Sequence, residues 1–150
     1  MKKTITACAF GALLSCSAMA SDGMVAIPSQ FSAEETAMRF VQIVEEKGLT
    51  LFTRVNHAEN ATRVNLDLRP TEVILFGNPV VGTPLMQCAQ EAAIELPQKA
   101  LIWEDAEGKV WLAYNDPAYL KQRHNIQGCD EVIDKISGVL GTLSQAATSQ

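Results

Sequence analysis

Two closely spaced groups of glycine and proline place the strongest local constraint on this chain. Gly77-Asn78-Pro79 follows an apolar run that ends at Phe76, and Gly82-Thr83-Pro84 comes shortly after. Glycine widens the range of backbone conformations available, whereas proline narrows it. The pattern predicts a strand that ends at Phe76, a rigid loop, and a helix with Thr83 as its N-cap and Pro84 as its first residue.

The chain before this loop begins with an extended stretch and a helix. Residues 24–27 are extended, and Ser32 with Glu35 forms a capping box that opens the helix. Gly48 ends it. The apolar residues expected on its inward face recur at helical spacing: Ala33, Ala37, Phe40, Val41 and Val44.

A strand, a short helix and a second strand are expected between Gly48 and the loop. Residues 49–55 alternate at period two, and His57 lies at the end of that strand. Residues 58–68 form a short helix that ends before Pro70, and residues 72–76 form a buried strand. In the first strand one face carries Leu49, Leu51, Thr53 and Val55 and the other Thr50, Phe52 and Arg54; the short helix turns Ala61, Val64 and Leu68 inward.

After the loop, the helix that starts at Thr83 runs until Pro97 closes it. Residues 99–104 and 109–115 form a hairpin, because Asp105-Ala106-Glu107-Gly108 has turn chemistry. Asp116 and Pro117 open a helix through His124, and an amphipathic helix covers about residues 129–147 before a frayed end. The inward sets are Leu85, Ala89, Ala92, Ala93 and Leu96 for the first helix and Val132, Ile136, Val139, Leu140 and Leu143 for the last.

This order of elements predicts an α+β fold, because strands and helices do not alternate as a doubly wound parallel sheet requires. A set of motifs is spread over roughly residues 24–126: His57-Ala58, Arg69 to Glu72, Phe76 to Met86, Leu96-Pro97, Lys99 to Leu101, Trp103 to Asp105, Tyr114 to Pro117, and Tyr119. In these motifs the chain resembles the domain of unknown function 302 family. The resemblance implies a curved antiparallel sheet with helices packed on one face, similar to the TATA-binding-protein-like fold, and a homodimer. It implies no activity.

The amino terminus has the pattern of a secretory signal peptide. Lys2 and Lys3 precede an apolar run, and Ala18-Met19-Ala20 supplies small residues at a cleavage site. We therefore expect residues 1–20 to be removed and residues 21–150 to form one exported, periplasmic domain without a transmembrane segment. The alternative is a lipoprotein anchored through Cys16, because residues 13–16 approximate a lipobox.

Charge and cysteine content limit the partners of the mature chain. Removal of residues 1–20 takes two of 12 basic residues and none of the 17 acidic ones, which leaves a net charge of −7. A nucleic-acid partner is therefore not expected. Cys88 and Cys129 remain, and an oxidising compartment favours a disulfide between them over two separate thiols. A redox-active pair is the third possibility, although no Cys-x-x-Cys spacing supports it.

The loop and a few polar or aromatic side chains are the candidate site residues. Backbone N–H groups at the amino terminus of a helix favour an anion, so the loop predicts either a carboxylate or phosphate site or only a tight connection. Trp111 and Tyr114 are expected on opposite faces of the sheet, which leaves one aromatic face for a ligand or a dimer partner. The ligand-binding candidates are His57, Gly77, Asn78, Gly82, Thr83, Glu104 and Tyr114.

The sequence favours an exported, non-enzymatic binding or accessory protein that uses the sheet face or the loop for a small ligand or partner. No catalytic or metal-ligand spacing is present, so neither a cofactor nor a metal is assigned. The alternative is a small periplasmic enzyme or metal-binding protein built around His57. In that case Glu104, Asp105 or Glu59 assists, with His124 as a second imidazole.

Overall fold

The computed structural model describes residues 23–150. The expected signal peptide, its cleavage before Ser21 and the acylation of Cys16 lie outside the described residues. Within residues 23–150, no helix is both long enough and apolar enough to cross a bilayer.

Five strands form one antiparallel sheet in the order β1-β5-β4-β3-β2. Strands β2 to β5 follow one another as neighbours, and β1 joins the far edge beside β5. The strands are β1 at Met24–Pro28, β2 at Thr50–Asn56, β3 at Thr71–Gly77, β4 at Gln98–Glu104 and β5 at Val110–Asn115.

Five α-helices and one 3₁₀ helix complete the described chain, and the predicted α+β class is confirmed. Helix α1 connects the two edge strands and packs on α5, and α1 contacts most of the sheet. The helices are α1 at Ala33–Glu46, α2 at His57–Arg63, α3 at Pro79–Cys88, α4 at Pro117–Arg123 and α5 at Asp130–Thr148, and the 3₁₀ helix is Gln90–Glu95.

The two faces of the sheet carry separate apolar clusters. The face under α1 and α5 holds the main core, which includes Ile74, Phe76 and Tyr114. The opposite face carries a smaller cluster around Trp111, whose ring stacks on that of Trp103 with centroids 6.2 Å apart. Trp111 and Tyr114 therefore lie on opposite faces, as predicted. The homodimer implied by the resemblance stays a prediction.

A β-bulge interrupts the predicted alternation of β2. Leu51 pairs with Phe76 and Thr53 pairs with Leu75, so Phe52 has no partner in β3. The extra residue places Leu51 and Thr53 on opposite faces, although the sequence pattern assigned them to one face. Phe52 is left 53% exposed at the end of the sheet.

Three helices end in the same hydrogen-bonding pattern. After α1, Gly48 adopts a φ of +69°, and its N–H and that of Leu49 bond back to Glu45 and Val44. Asn65 and Asn125 take the same left-handed role after α2 and α4, with φ values of 58° and 46°. This arrangement is the Schellman motif, which asparagine tolerates better than most residues.

The early end of α2 corrects one prediction about the core. Because Asn65 stops the helix, the chain from Val64 to Leu68 does not continue as a helical face. Val64 is 63% exposed and Leu68 is 49% exposed, so the inward positions predicted for them were wrong.

The helix that follows β3 starts earlier than predicted. Asn78 is its N-cap and Pro79 its first residue, whereas Thr83 and Pro84 lie inside the helix. Asn78-Pro79 and Thr83-Pro84 can each serve as an N-cap followed by proline, but only Asn78-Pro79 lies directly after β3. The helix also stops at Cys88, and Ala89 is extended before the 3₁₀ helix begins. The inward face that was predicted through Leu96 is therefore divided, and Ala93 is exposed.

The Cys88–Cys129 disulfide joins the end of α3 to the N-cap of α5 across 41 positions in the chain. This confirms the predicted pairing. In the chain-entropy model a loop of this length stabilises the folded state by about 4 kcal/mol. The bridge therefore holds α3 against α5.

The carboxyl-terminal turn of α5 is docked rather than frayed, which corrects another prediction. Ala147 and Thr148 are buried. The Arg39 guanidinium donates to the carbonyls of Ala146, Ala147 and Ser149 at 2.9 to 3.2 Å. Carbonyls at the end of a helix have no hydrogen-bond donor within that helix. The Arg39 guanidinium therefore supplies both hydrogen bonds and a favourable charge. On the same helix Val139, predicted inward, is exposed.

We expect Arg39→Ala to lower the free energy of unfolding by about 1–3 kcal/mol, because hydrogen bonds from a charged donor to the end of α5 are lost. Urea unfolding of the oxidised protein measures this. The matched control is Arg63→Ala, which removes an exposed pair with Glu59 and should change stability by about 0.5 kcal/mol or less. Equal effects of the two substitutions would show that Arg39 does not anchor α5.

The β4–β5 hairpin is organised by Asp105. Its carboxylate accepts from the Trp111 indole at 2.7 Å and from the backbone N–H groups of Lys109 and Glu107 at 2.8 and 3.0 Å. The bond from Trp111, followed by that from Lys109, holds the pKa of Asp105 below its ordinary value. Gly108 completes the predicted turn with a φ of +78°.

Because the pKa of Asp105 is lower in the folded state, its contribution to stability is full above the unfolded pKa of about 3.9 and disappears as the pH falls through the folded pKa. We therefore expect Asp105→Asn to lower Tm at about pH 7 and the difference from the parent to narrow towards about pH 3. Asp67→Asn in the exposed loop before β3 is the control. A difference in Tm that did not depend on pH would contradict this role.

Candidate functional site

An apolar cleft of about 400 Å³ lies where β2 and β4 begin and β3 ends. Helix α3 and the segment after it form much of its wall, and α5 contributes one side chain. The lining residues are Phe52, Gly77, Asn78, Pro79, Val81, Gly82, Thr83, Met86, Ala93, Leu96, Pro97, Gln98 and Ile136. Four of the predicted ligand-binding residues are thus brought together here: Gly77, Asn78, Gly82 and Thr83.

The first turn of α3 has no free donors for an anion. The side chain of Asn78 accepts from the N–H of Val80 at 2.9 Å, and its carbonyl accepts from the N–H groups of Val81 and Gly82 at 3.0 and 2.9 Å. Pro79 has no N–H. Every N–H in residues 79–82 is therefore absent or already bonded, so this geometry favours the tight connection over the anion site.

The two loop glycines provide space instead of an unusual backbone conformation. Neither Gly77 nor Gly82 has a positive φ. A Cβ at Gly77 would lie 3.6 Å from the Phe52 ring, and one at Gly82 would lie 3.6 Å from Leu96. Both are ordinary contacts, so the backbone accepts a side chain at either position. A longer side chain there would extend along the cleft wall.

Gln98 is the buried polar residue of the cleft, and it was not among the predicted site residues. It is 8% exposed, and its Nε2 is buried without a hydrogen-bond partner. Such groups are uncommon in folded proteins. The sequence did contain a signal, because Gln98, Ala100 and Ile102 alternate along β4 and so share the core face. The predicted strand began one residue later, at Lys99, and so left Gln98 out.

One exposed aromatic side chain belongs to the cleft lining. Phe52 follows the β-bulge and is 53% exposed. Its ring therefore extends the apolar surface of the cleft towards solvent.

Neither histidine lies in this cleft. His57 is exposed at the first position of α2. His124 is at the end of α4, where its Nε2 lies 3.2 Å from the Glu95 carboxylate, which Arg123 also contacts at 3.2 Å. Among residues 23–150, no three His, Cys, Asp or Glu side chains are grouped to hold a metal ion. The hypothetical site of two histidines and a carboxylate is thus not formed there.

The remaining predicted site residues are also outside the cleft. Tyr114 is 8% exposed in the main core, where burial raises its pKa, and its hydroxyl lies beside Gly141 of α5. Glu104 ends β4. Asp105 is committed to the hairpin through its bonds to Trp111 and the turn backbone. The structure therefore separates the loop residues from Tyr114, Glu104 and His57.

A second, polar hollow beside α2 contains a closed ion pair. Arg54 donates from Nε and Nη2 to the two carboxylate oxygens of Glu72 at 2.5 and 3.0 Å. This bond to Glu72 raises the pKa of Arg54. Because the pair is bidentate, neither charge is left for a ligand.

Comparison with known proteins gives a family match and two kinds of relative. The family model described as "Domain of unknown function DUF302" matches residues 25–143, which extends the resemblance past residue 126 into α5. Two proteins named "Fluoride-specific ion channel FluC 1", from Brucella suis biovar 1 and Brucella abortus biovar 1, are each 43% identical over 127 residues. These alignments cover 83% of this chain and 50% and 47% of the relatives, so the chain spans about half their length.

A solved structure shares the fold. The crystal structure of an uncharacterized conserved DUF302 protein from Bacillus stearothermophilus superposes with a TM-score of 0.76 over 85% of this chain and 99% of that one. The sequence identity is 16%, so the likeness concerns the fold alone.

Proposed function

The chain belongs to the DUF302 family, domains of unknown function, and we propose that it is a non-enzymatic module that binds a small, largely apolar molecule in the cleft beside α3. The observation that carries this proposal is the cleft itself, and nine of its thirteen lining residues also carry the family resemblance. Apolar clefts of about 300–1,000 Å³ with few polar groups are the usual form of small-molecule sites.

The alternative of an enzyme or metal site around His57 has less support. His57 is solvent-exposed and outside the cleft, and His124 is engaged with Glu95. A general base must lie within hydrogen-bond reach of the bound substrate, so it needs a substrate-sized cavity beside it. The cleft lining contains no His, Cys, Asp, Glu, Lys or Arg, so binding without chemistry fits it better.

We also propose that the module works outside the cytoplasm. The amino-terminal pattern predicts export, and the Cys88–Cys129 disulfide is a bond that an oxidising compartment maintains. These two features support the same location independently.

Filling the cleft from its wall tests the binding function. In Gly82→Leu the new side chain occupies space beside Leu96, while leucine favours the helical backbone more than glycine does. We expect the uncharged fluorescent probe N-phenylnaphthylamine to bind the parent saturably and Gly82→Leu at least about tenfold more weakly, which corresponds to about 1.4 kcal/mol.

Gly138→Leu is the matched control, because it makes the same change on an exposed position of α5, where no atom apart from its chain neighbours and the adjoining helix backbone lies within 4 Å of the added Cβ. It should bind the probe as the parent does. Circular dichroism checks that both variants fold. If a folded Gly82→Leu bound the probe with unchanged affinity, the probe would not occupy this cleft.

The curated relatives favour a second candidate function, that of an accessory domain to a fluoride channel. They carry that name and are about twice as long as the aligned region. On this hypothesis, deletion of the gene lowers growth in graded sodium fluoride but not in equal sodium chloride, and the parent gene restores it. Equal growth of the deletion strain in both salts would contradict it.

A further inference from the structure

The unpaired amide of Gln98 bears on the chemistry of the ligand in the cleft. We infer that the cleft takes an uncharged, largely apolar molecule with one hydrogen-bond acceptor, such as the carbonyl of a fatty acyl ester, and that Gln98 donates to that acceptor. This inference rests on the proposed function, because it names the class of ligand for the same cleft.

Gln98 is the buried polar group that needs a partner. It belongs to the cleft lining, is 8% exposed, and holds Nε2 without a hydrogen-bond acceptor. The last torsion of a glutamine side chain is soft, so the amide can turn towards an acceptor in the cleft without a large strain. A ligand oxygen there would satisfy a donor that the protein leaves unpaired.

The surroundings favour an uncharged ligand. No charged residue occurs in the sequence between Glu72 and Glu91, and none lines the cleft. The nearby Lys99 donates its ammonium to the carbonyls of Glu95 and Pro97 at 2.9 and 3.1 Å. As the neighbour of Gln98 on β4 it belongs to the opposite face. A carboxylate in the cleft would therefore be desolvated without a counter-charge, which is unfavourable.

The exposed ring of Phe52 favours a ligand that reaches the opening of the cleft. Phe52 belongs to the cleft lining and is 53% exposed. An apolar ligand that fills the cleft would also cover this ring, and removal of exposed apolar surface from water is favourable.

Displacement of N-phenylnaphthylamine by three ligands of similar length tests the inference: methyl decanoate, decanoate and undecane. We expect the ratio of ester affinity to hydrocarbon affinity to be about tenfold higher in the parent than in Gln98→Leu, the effect of about one hydrogen bond. Decanoate should bind the parent more weakly than the ester does. Gln98→Met, which keeps a long unbranched side chain, should show the same lowered ratio if Gln98→Leu is unstable.

Gln127→Leu, at an exposed position after α4, is the control and should keep the affinity ratio of the parent. The same ratio of ester to hydrocarbon affinity in the parent and in Gln98→Leu, with both ligands displacing the probe, would overturn the role of Gln98 and leave the binding function intact. Tighter binding of decanoate than of the ester would overturn the assignment of an uncharged ligand. If the parent bound neither the probe nor any of the three ligands, the proposed function would fall as well.

Discussion

The edge-to-face contact between Phe40 of α1 and Phe76 of β3 fixes the arrangement around it. The ring centroids are 5.0 Å apart at an angle of 78°, and both side chains are almost fully buried. Such a pair combines a large apolar burial with a preferred geometry. It holds α1 against β3, one residue before that strand ends at Gly77. Since α1 and α5 cover this face together, α3 packs on α5 and the 3₁₀ helix rather than on the strands.

The cleft results from the position of α3, which packs on α5 and the 3₁₀ helix. The helix stands beside the end of the sheet, and two glycines, Gly77 at the end of β3 and Gly82 on α3, leave space between them. Asn78 and Pro79 start the helix as soon as β3 ends, and the Cys88–Cys129 bridge fixes its other end to α5. The bulge at Phe52 turns an aromatic ring towards the same opening. Local capping, one disulfide and one strand irregularity thus form a cavity from elements that are otherwise packed in the usual way.

Helix caps and turns were predicted correctly, because hydrogen bonds between residues close in the chain determine them. Ser32 and Asp116 cap their helices, the Asp105 to Gly108 turn joins β4 and β5, and Gly48 ends α1, all as the sequence indicated. The start of α3 was misplaced because two Xaa-Pro pairs satisfy the same rule and tertiary packing selects between them. Asn65 ends α2 by adopting a left-handed backbone conformation, which helix propensities do not predict. The loop residues of the candidate site were predicted from the sequence. Phe52 and Gln98 were not, because the position of Phe52 depends on the strand register and the importance of Gln98 depends on its burial.

If the cleft is a binding site, a ligand accepts the hydrogen bond that Gln98 cannot make within the protein. A high-resolution crystal structure of the protein purified from its own cells, without refolding or detergent, would show that ligand. We expect electron density for a ligand along the cleft, with an acceptor atom about 3 Å from Gln98 Nε2. A cleft filled by ordered waters that bond to Gln98, or one closed by movement of α3 against Phe52, would show that it is not a ligand site.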